Sequence, residues 1–269
     1  MVLVTGASSG LGAATALHLA SLGHRVYAAS RRGTIEGSHA AAPPGPPAQL
    51  TPLTMDVDDD ESVRRAVDAV WASEGRIDVV VNCAGYGIAG AIEDTPMAAA
   101  QAQFDTNVFG VLRVCQRVLP VMRRAGAGMI VNVTSIAGEF ALPFQGLYSA
   151  SKFAVEGLSE ALRVEVRPFG IDVVLVQPGD FRTGFTAARR LAAPGDSAYA
   201  DRARRALTIA ARDENAGADP RQAARLIARI VASRRPKLRY VAGPAAQEWL
   251  MRLRYVLPGR WLIARHFGA

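Results

Sequence analysis

Cysteine is nearly absent: Cys83 and Cys115 are the only two in 269 residues. Their separation matches neither a metal-ligand spacing nor a disulfide framework, which fits a reducing compartment. No His/Cys/Asp grouping has the pattern of a zinc site, so no metal is expected. No apolar run reaches the roughly 18 residues that a membrane-spanning helix needs. The opening "MVLVTG" already reads as a buried strand and leaves no room for a leader. Together these absences point to a cytoplasmic protein. Lysine is as scarce as cysteine, with only Lys152 and Lys237 among 31 basic side chains. Acid is scarce in one region. Residues 1–220 carry 20 basic and 23 acidic side chains, whereas residues 221–269 carry 11 basic side chains and one acid, Glu248. The basic character therefore belongs to the C-terminal stretch and not to the whole surface.

What is present supports a large core, since half of the residues are hydrophobic. Short β-branched runs alternate with longer amphipathic segments, the signature of βαβ units and a parallel sheet. Strands are expected at 2–5, 25–30, 51–56, 77–82, 129–134, 171–176 and 238–242, and helices at 10–22, 60–73, 96–124, 148–167, 219–234 and 245–256. Near-continuous Val/Ile content in the middle strands fits a sheet covered on both faces. Residues 33–50 break the rhythm. Four prolines in five positions, 43–47, block a crossover helix and read as a loop.

The stretch "VTGASSGLG" follows the first strand and leads into a helical pattern. Gly6, Gly10 and Gly12 would let a pyrophosphate approach the backbone beside helix N–H groups, and Ser8 and Ser9 add hydroxyl donors. Such a strand–turn–helix glycine pattern points to dinucleotide binding. An NAD site usually carries an acid at the end of the second strand, to accept from the ribose 2′-hydroxyl. Here Ser30 holds that position, followed by Arg31 and Arg32. Guanidinium groups suit a 2′-phosphate, so NADP(H) is the expected cofactor, with NAD(H) left open.

Tyr148 and Lys152 stand four apart and share a helical face. Taken alone, such a pair can simply cover apolar surface and reach water. With "NCAG" at 82–85, "MDV" at 55–57, Asn107, Ser135 thirteen residues before Tyr148, and "QPGDFRT" at 177–183, the sequence resembles the short-chain dehydrogenase/reductase family over most of residues 1–243. Within it, the chain is similar in style to the hydroxysteroid and retinol dehydrogenase branches. The resemblance implies a single-domain α/β fold: a Rossmann-type doubly wound parallel sheet of about seven strands with helices on both faces. A basic helical extension, 244–269, would follow the 1–243 dinucleotide-binding and catalytic unit. It also implies that Asn107, Ser135, Tyr148 and Lys152 are the catalytic group. The cofactor would be held by the glycine turn with Leu11, by Asp56 and Val57, by Asn82, Ala84 and Gly85, by Tyr148 and Lys152, and by Pro178, Gly179 and Thr183. In the family Ser135 holds the substrate oxygen, and Asn107 helps place a water chain that supplies Lys152 with protons. Cys83 departs from the family's usual second asparagine. The chemistry accounts for the use of a lysine. A phenol with a pKa near 10 is a poor base at neutrality, and a nearby ammonium favours its phenolate by about 1.4 kcal/mol per unit of depression.

Loops that converge at the carboxyl ends of the strands supply Tyr86, Phe140, Leu142, Phe144 and Phe185, a largely apolar pocket for a lipophilic ketone or aldehyde and its alcohol. No charged substrate is indicated, with Glu93 and Glu139 as the exceptions to watch. The expected activity is hydride transfer between NADP(H) and such a carbonyl. A 3-ketoacyl-thioester reductase and a non-catalytic NADP(H)-sensing protein are the alternatives. In the extension, Trp249, Leu253 and Val256 recur at helical spacing beside Arg252 and Arg254. That pattern suits packing or a lid, peripheral membrane contact, or an acidic partner. Nucleic acid is not an expected partner. By resemblance, a homodimer or homotetramer would form through the long helices at 96–124 and 148–167.

Overall fold

The structure, a computed structural model, describes residues 1–35, 49–192 and 197–253. Seven strands form one sheet: β1 (Val2–Thr5), β2 (Val26–Ser30), β3 (Leu50–Thr54), β4 (Val79–Asn82), β5 (Gly128–Val133), β6 (Ile171–Pro178) and β7 (Arg239–Ala242). Their order across the sheet is β3-β2-β1-β4-β5-β6-β7, and every pairing is parallel. The order reverses at β1, where the next strand along the chain but two, β4, pairs on its other side. Ligands of doubly wound sheets bind at that switch, beyond the carboxyl ends of the strands. Pro52 lies in β3, which pairs only with β2, so its missing N–H falls on an edge strand where it is tolerated.

The helices are α1 (Gly10–Ser21), α2 (Asp60–Glu74), α3 (Met97–Phe104), α4 (Gly110–Ala125), α5 (Gly146–Val166), α6 (Phe185–Ala188), α7 (Ala200–Asn215), α8 (Pro220–Val231) and α9 (Ala245–Leu253). Strand alternation sorts the core into two layers. Val2, Val4, Val79, Val81, Val131 and Val174 face α1 and α8 through Leu19, Ile227 and Ile230. Leu3, Val80, Ile130 and Val173 face α2 and α4 through Val67, Val70, Val118 and Met122. The near-continuous apolar runs are thus strands buried on both sides.

Three features depart from the sequence expectation. The helix expected over 96–124 is interrupted by a π-helical turn, Asp105–Phe109, between α3 and α4. The helix α7 and a small parallel pair, Ile88–Ala89 with Arg190–Leu191, were not anticipated. Most of the proline-rich segment and residues 254–269, including Arg254 and Val256, lie outside the described residues. Among the described residues, no helix is long and apolar enough to cross a membrane, and no group of three metal-binding side chains occurs.

Candidate active site

A cleft of about 1240 Å³ runs along the carboxyl ends of the strands, from the glycine turn to the region between α5, α6 and α7. At its first end the β1–α1 turn is made for close approach. Gly6 and Gly10 have φ values of +63° and +57°, the left-handed region. A Cβ on Gly6 would stand 2.7 Å from the Ala84 backbone, and one on Gly12 would collide with the Gly6 carbonyl. Thr5 fixes the facing loop, its hydroxyl accepting from the N–H groups of Cys83 (3.1 Å) and Ala84 (3.2 Å). The first turn of α1 holds no acid, and Ser9 at its N-cap makes no capping bond. Its leading N–H groups are therefore left for an anion. These features fit a dinucleotide pyrophosphate.

Further along, Ser30 closes β2 with its hydroxyl donating to the Thr34 carbonyl at 3.2 Å, and Gly33 N–H donates to the Ser30 carbonyl at 3.1 Å. Arg31 and Arg32 are the central residues of that turn and lie exposed on the cleft wall. Asp56 and Val57 line the same wall. Asp56 Oδ1 accepts from the Asp58 N–H at 3.1 Å. Next to it, burial holds the Asp58 carboxyl above its ordinary range, and Oδ1 of that group has no partner. Leu11, Gly85, Pro178, Gly179 and Thr183 also line the cleft.

The structure brings the four expected catalytic residues together from three segments. Ser135 follows β5 and opens a 3-10 turn, Ile136–Gly138, that packs tightly on the α5 backbone: a Cβ on Gly138 would be 3.2 Å from the Lys152 carbonyl carbon. Ser135 Oγ accepts from the Ala137 N–H at 3.0 Å and donates to the Pro178 carbonyl at 3.3 Å. Asn107 sits in the π-helical turn, where its carboxamide donates to the Tyr86 carbonyl and Ser151 Oγ and accepts from the Tyr86 N–H, each at 3.0 Å. Asn107 does not itself line the cleft; it fixes the loop that does. Both Asn107 Oδ1 (3.1 Å) and Lys152 Nζ (3.6 Å) lie beside the position a Gly85 Cβ would take.

Tyr148 and Lys152 are both buried, on the first turns of α5. Lys152 Nζ donates to the Val133 carbonyl at 3.1 Å and lies 5.7 Å from the centre of the Tyr148 ring. Burial pushes the Tyr148 phenol up to about 12, against a hydrogen bond with Ser135 that pulls it down. Burial likewise pushes Lys152 down to about 8, with Cys83 and Glu156 opposing. The lowered phenol expected from sequence is thus not produced by the protein alone. Desolvation outweighs the Ser135 hydrogen bond and favours the neutral phenol.

Two expected positions fall elsewhere. Asn82 ends β4 on the face that meets α4 and α5. Its Nδ2 donates to Asn132 Oδ1 at 2.8 Å, and Asn132 passes the chain on to Ser159 Oγ at 2.8 Å, so it braces the sheet under the cleft. Phe144 does not line the cleft. It takes a φ of +60°, and its carbonyl accepts from the Gly90 N–H at 2.8 Å, so it serves the backbone of the loop. Tyr86, Phe140, Leu142 and Phe185 do line it. Phe185 meets the catalytic ring, with centroids 5.4 Å apart and planes tilted by 55°.

Sequence reasoning missed a polar wall. The end of α7 brings Arg212, Asp213 and Glu214 to the cleft. A parallel bridge between Phe181 and Ala218, with the Ala218 N–H donating to the Asp180 carbonyl at 2.9 Å, stitches that end to the segment after β6. Arg190, from the small strand pair, stacks over Tyr86 at 4.4 Å. The extension also contributes, since Pro244, Ala246 and Gln247 line the rim. Gln247 binds the Asp180 N–H at 2.9 Å and the Asp180 carboxylate. Glu139 and Glu93, the acids singled out in the sequence, are engaged with Gln177 and with the Tyr199 hydroxyl.

The family model for short chain dehydrogenase matches residues 1–193. The chain belongs to the short-chain dehydrogenase family. It is 44% identical over 260 residues to a 3-ketodihydrosphingosine reductase of Bacteroides thetaiotaomicron, covering 96% of this chain and 93% of that one. It is 41% identical over 191 residues to the human 17-beta-hydroxysteroid dehydrogenase type 1, covering 69% of this chain and 58% of that one. A short-chain dehydrogenase/reductase from Burkholderia phymatum, solved in complex with NAD, superposes with a TM-score of 0.80 at 28% identity, covering 95% and 92% of the two chains. The chain is accordingly an NAD(P)-dependent oxidoreductase.

Proposed function

We propose that this protein is an NADP(H)-dependent reductase of lipophilic, long-chain ketones. The observation that carries the reading is the placement of a neutral, buried Tyr148 hydroxyl between Ser135 and an apolar wall of Phe140, Leu142 and Phe185. When bound, the reduced cofactor supplies a hydride to the carbonyl carbon. The residues of the chain do the rest. Ser135 and Tyr148 hold the carbonyl oxygen, and the Tyr148 proton moves to that oxygen as the alcohol forms. The phenolate left behind is favoured by the Lys152 ammonium, which returns a proton. Asn107 keeps the Tyr86 loop in register with Lys152. The 44% identity to a 3-ketodihydrosphingosine reductase supports a long-chain ketone over a compact one.

Arg31 supports the preference for NADP(H). It lines the cleft, makes no ion pair with a described residue, and has no acid at position 30 to compete for a ribose. Exposed Leu112 on α4 and Phe153 and Leu158 on α5 fit self-association through those helices.

The test is a parallel titration with NADPH and NADH, followed by ketone reduction. NADPH is expected to bind at least tenfold tighter, about 1.4 kcal/mol, and Arg31→Ala to erase that margin while leaving NADH affinity in place. Equal affinities in the unaltered protein would overturn the NADP(H) assignment. Failure to reduce any long-chain ketone would overturn the substrate class.

A further inference from the structure

The C-terminal extension meets the cleft through one carboxamide. Gln247, at the start of α9, places both ends of its side chain on a single residue. Its Oε1 accepts from the Asp180 N–H at 2.9 Å, and its Nε2 donates to the Asp180 carboxylate. The pairing calls for a carboxamide. A backbone N–H needs an acceptor and a carboxylate needs a donor, and this side chain offers one of each. The surrounding backbone is shaped to the contact. A Cβ on Gly179 would overlap Gln247 Oε1, so only glycine lets the carboxamide come this close.

Asp180 belongs to a segment whose two flanks both reach the site. On one side the Pro178 carbonyl accepts from Ser135 Oγ at 3.3 Å. On the other, Thr183 stands over the glycine turn, where a Cβ on Gly10 would be 3.6 Å from the Thr183 Cβ. Because β6 ends at Pro178, the residues that follow have left the ladder of the sheet and need other partners for their backbone groups. At Asp180 the Ala218 N–H binds the carbonyl at 2.9 Å, and Gln247 binds the N–H and the carboxylate. Gln247 lies outside residues 1–193, the stretch that the family model matches. The contact is thus something the extension adds to the family's own motifs.

We propose that Gln247 is a positioning residue for the nicotinamide half of the cofactor. By clamping Asp180 it sets the segment from Pro178 to Thr183 against Ser135 and the glycine turn, and so makes the extension part of the active site. The inference rests on the reading of that segment as the holder of the nicotinamide side. The adenosine half falls to the wall of Arg31 and Asp56. Loss of the clamp therefore loosens one half of the dinucleotide site and spares the other. A glutamate at position 247 keeps the bond to the Asp180 N–H but sets one carboxylate against another.

The test measures binding of NADPH, NADH and 2′,5′-ADP to the unaltered protein, Gln247→Glu and Gln247→Met. The last ligand carries the adenosine and its 2′-phosphate without the nicotinamide. Both substitutions are expected to weaken NADPH and NADH alike, Gln247→Glu by roughly tenfold or more. Binding of 2′,5′-ADP is expected to stay within about twofold, as for a site with no shared partners. Adding Asp180→Asn to Gln247→Glu places a donor opposite the new carboxylate and is expected to recover most of the lost NADPH affinity. A general loosening of the fold would neither spare the fragment nor be reversed in this way. Unchanged NADPH affinity in both single variants overturns the proposal, and so does an equal loss of NADPH and 2′,5′-ADP. Where Gln247→Glu fails to fold, Gln247→Met decides by the same comparison. An unaltered protein that binds neither dinucleotide sinks the cofactor reading of the cleft, whereas normal binding indifferent to position 247 sinks the clamp alone.

Discussion

The buried lysine makes a prediction that stability alone can test. Lys152 is 7% exposed, and burial lowers its pKa from 10.5 to about 8. Because the folded value is depressed, the unfolded chain binds more protons between about pH 8 and 10.5. Stability without cofactor therefore rises with pH across that window and falls back as pH drops through 8. At neutrality both states are protonated, and the folded protein carries the full cost of about 3 kcal/mol, taken at about 1.4 kcal/mol per unit. Between pH 7 and 9.5 roughly 2 kcal/mol of that cost is relieved. Lys152→Met removes the titration. Urea unfolding of the cofactor-free protein and the variant at several pH values is the assay. The stability difference in favour of the variant is expected to shrink by about 2 kcal/mol from pH 7 to 9.5. Tyr148 and Cys83, each pushed up to about 12 by burial, also titrate at high pH, but they are present in both proteins. A difference that stays flat with pH would refute the idea that Lys152 is held charged against its own desolvation.

Other outcomes follow from the same geometry. Gly6→Ala places a methyl 2.7 Å from the Ala84 backbone at a φ of +63°, so calorimetry should show cofactor affinity lost along with a lowered melting temperature. Glu156 is buried and binds Arg239 at 2.8 Å, the Thr134 hydroxyl at 2.6 Å and Gln177 at 3.0 Å, joining the ends of β5, β6 and β7 to α5. Glu156→Ala removes one acceptor from each, while Glu139, the Val176 carbonyl and Glu160 still accept from them, and should cost about 1 to 2 kcal/mol in denaturant unfolding. Asp59 caps α2, accepting from the N–H groups of Glu61 and Ser62, so Asp59→Ala should cost about 1 kcal/mol without changing NADPH affinity.

Much of this architecture was legible because strand alternation and glycine placement are local signals. The middle strands came from Val/Ile runs, and the first turn from Gly6, Gly10 and Gly12. The Tyr148–Lys152 pair was legible only through its register with Ser135 and Asn107, which supplied the odds that a lone helical pair lacks. What escaped was either non-local or a matter of direction. Nothing in "ARDENAG" announces that Glu214 reaches the cleft, because the bridge at Phe181 and Ala218 forms across 37 positions of chain. Asn82 was assigned to the cofactor from its place in a motif, whereas its side chain lies beneath the cleft, donating to Asn132. Phe144 looked like pocket because it is aromatic, but its backbone conformation, not its ring, is what the loop uses. The π-helical turn is a single-turn insertion between two helical stretches, too local for the spacing of apolar residues to announce.

The most direct test of the account is Tyr148→Phe, measured for NADPH binding and for reduction of a long-chain ketone on the same sample. The substitution removes one hydroxyl and leaves the ring on Phe185. The account predicts ketone reduction lowered by a factor on the order of 10² to 10⁴, the usual reach of a lost general acid, with NADPH affinity within about twofold. Reduction retained at near its original rate, with cofactor still bound, would contradict the assignment of Tyr148 as the proton donor.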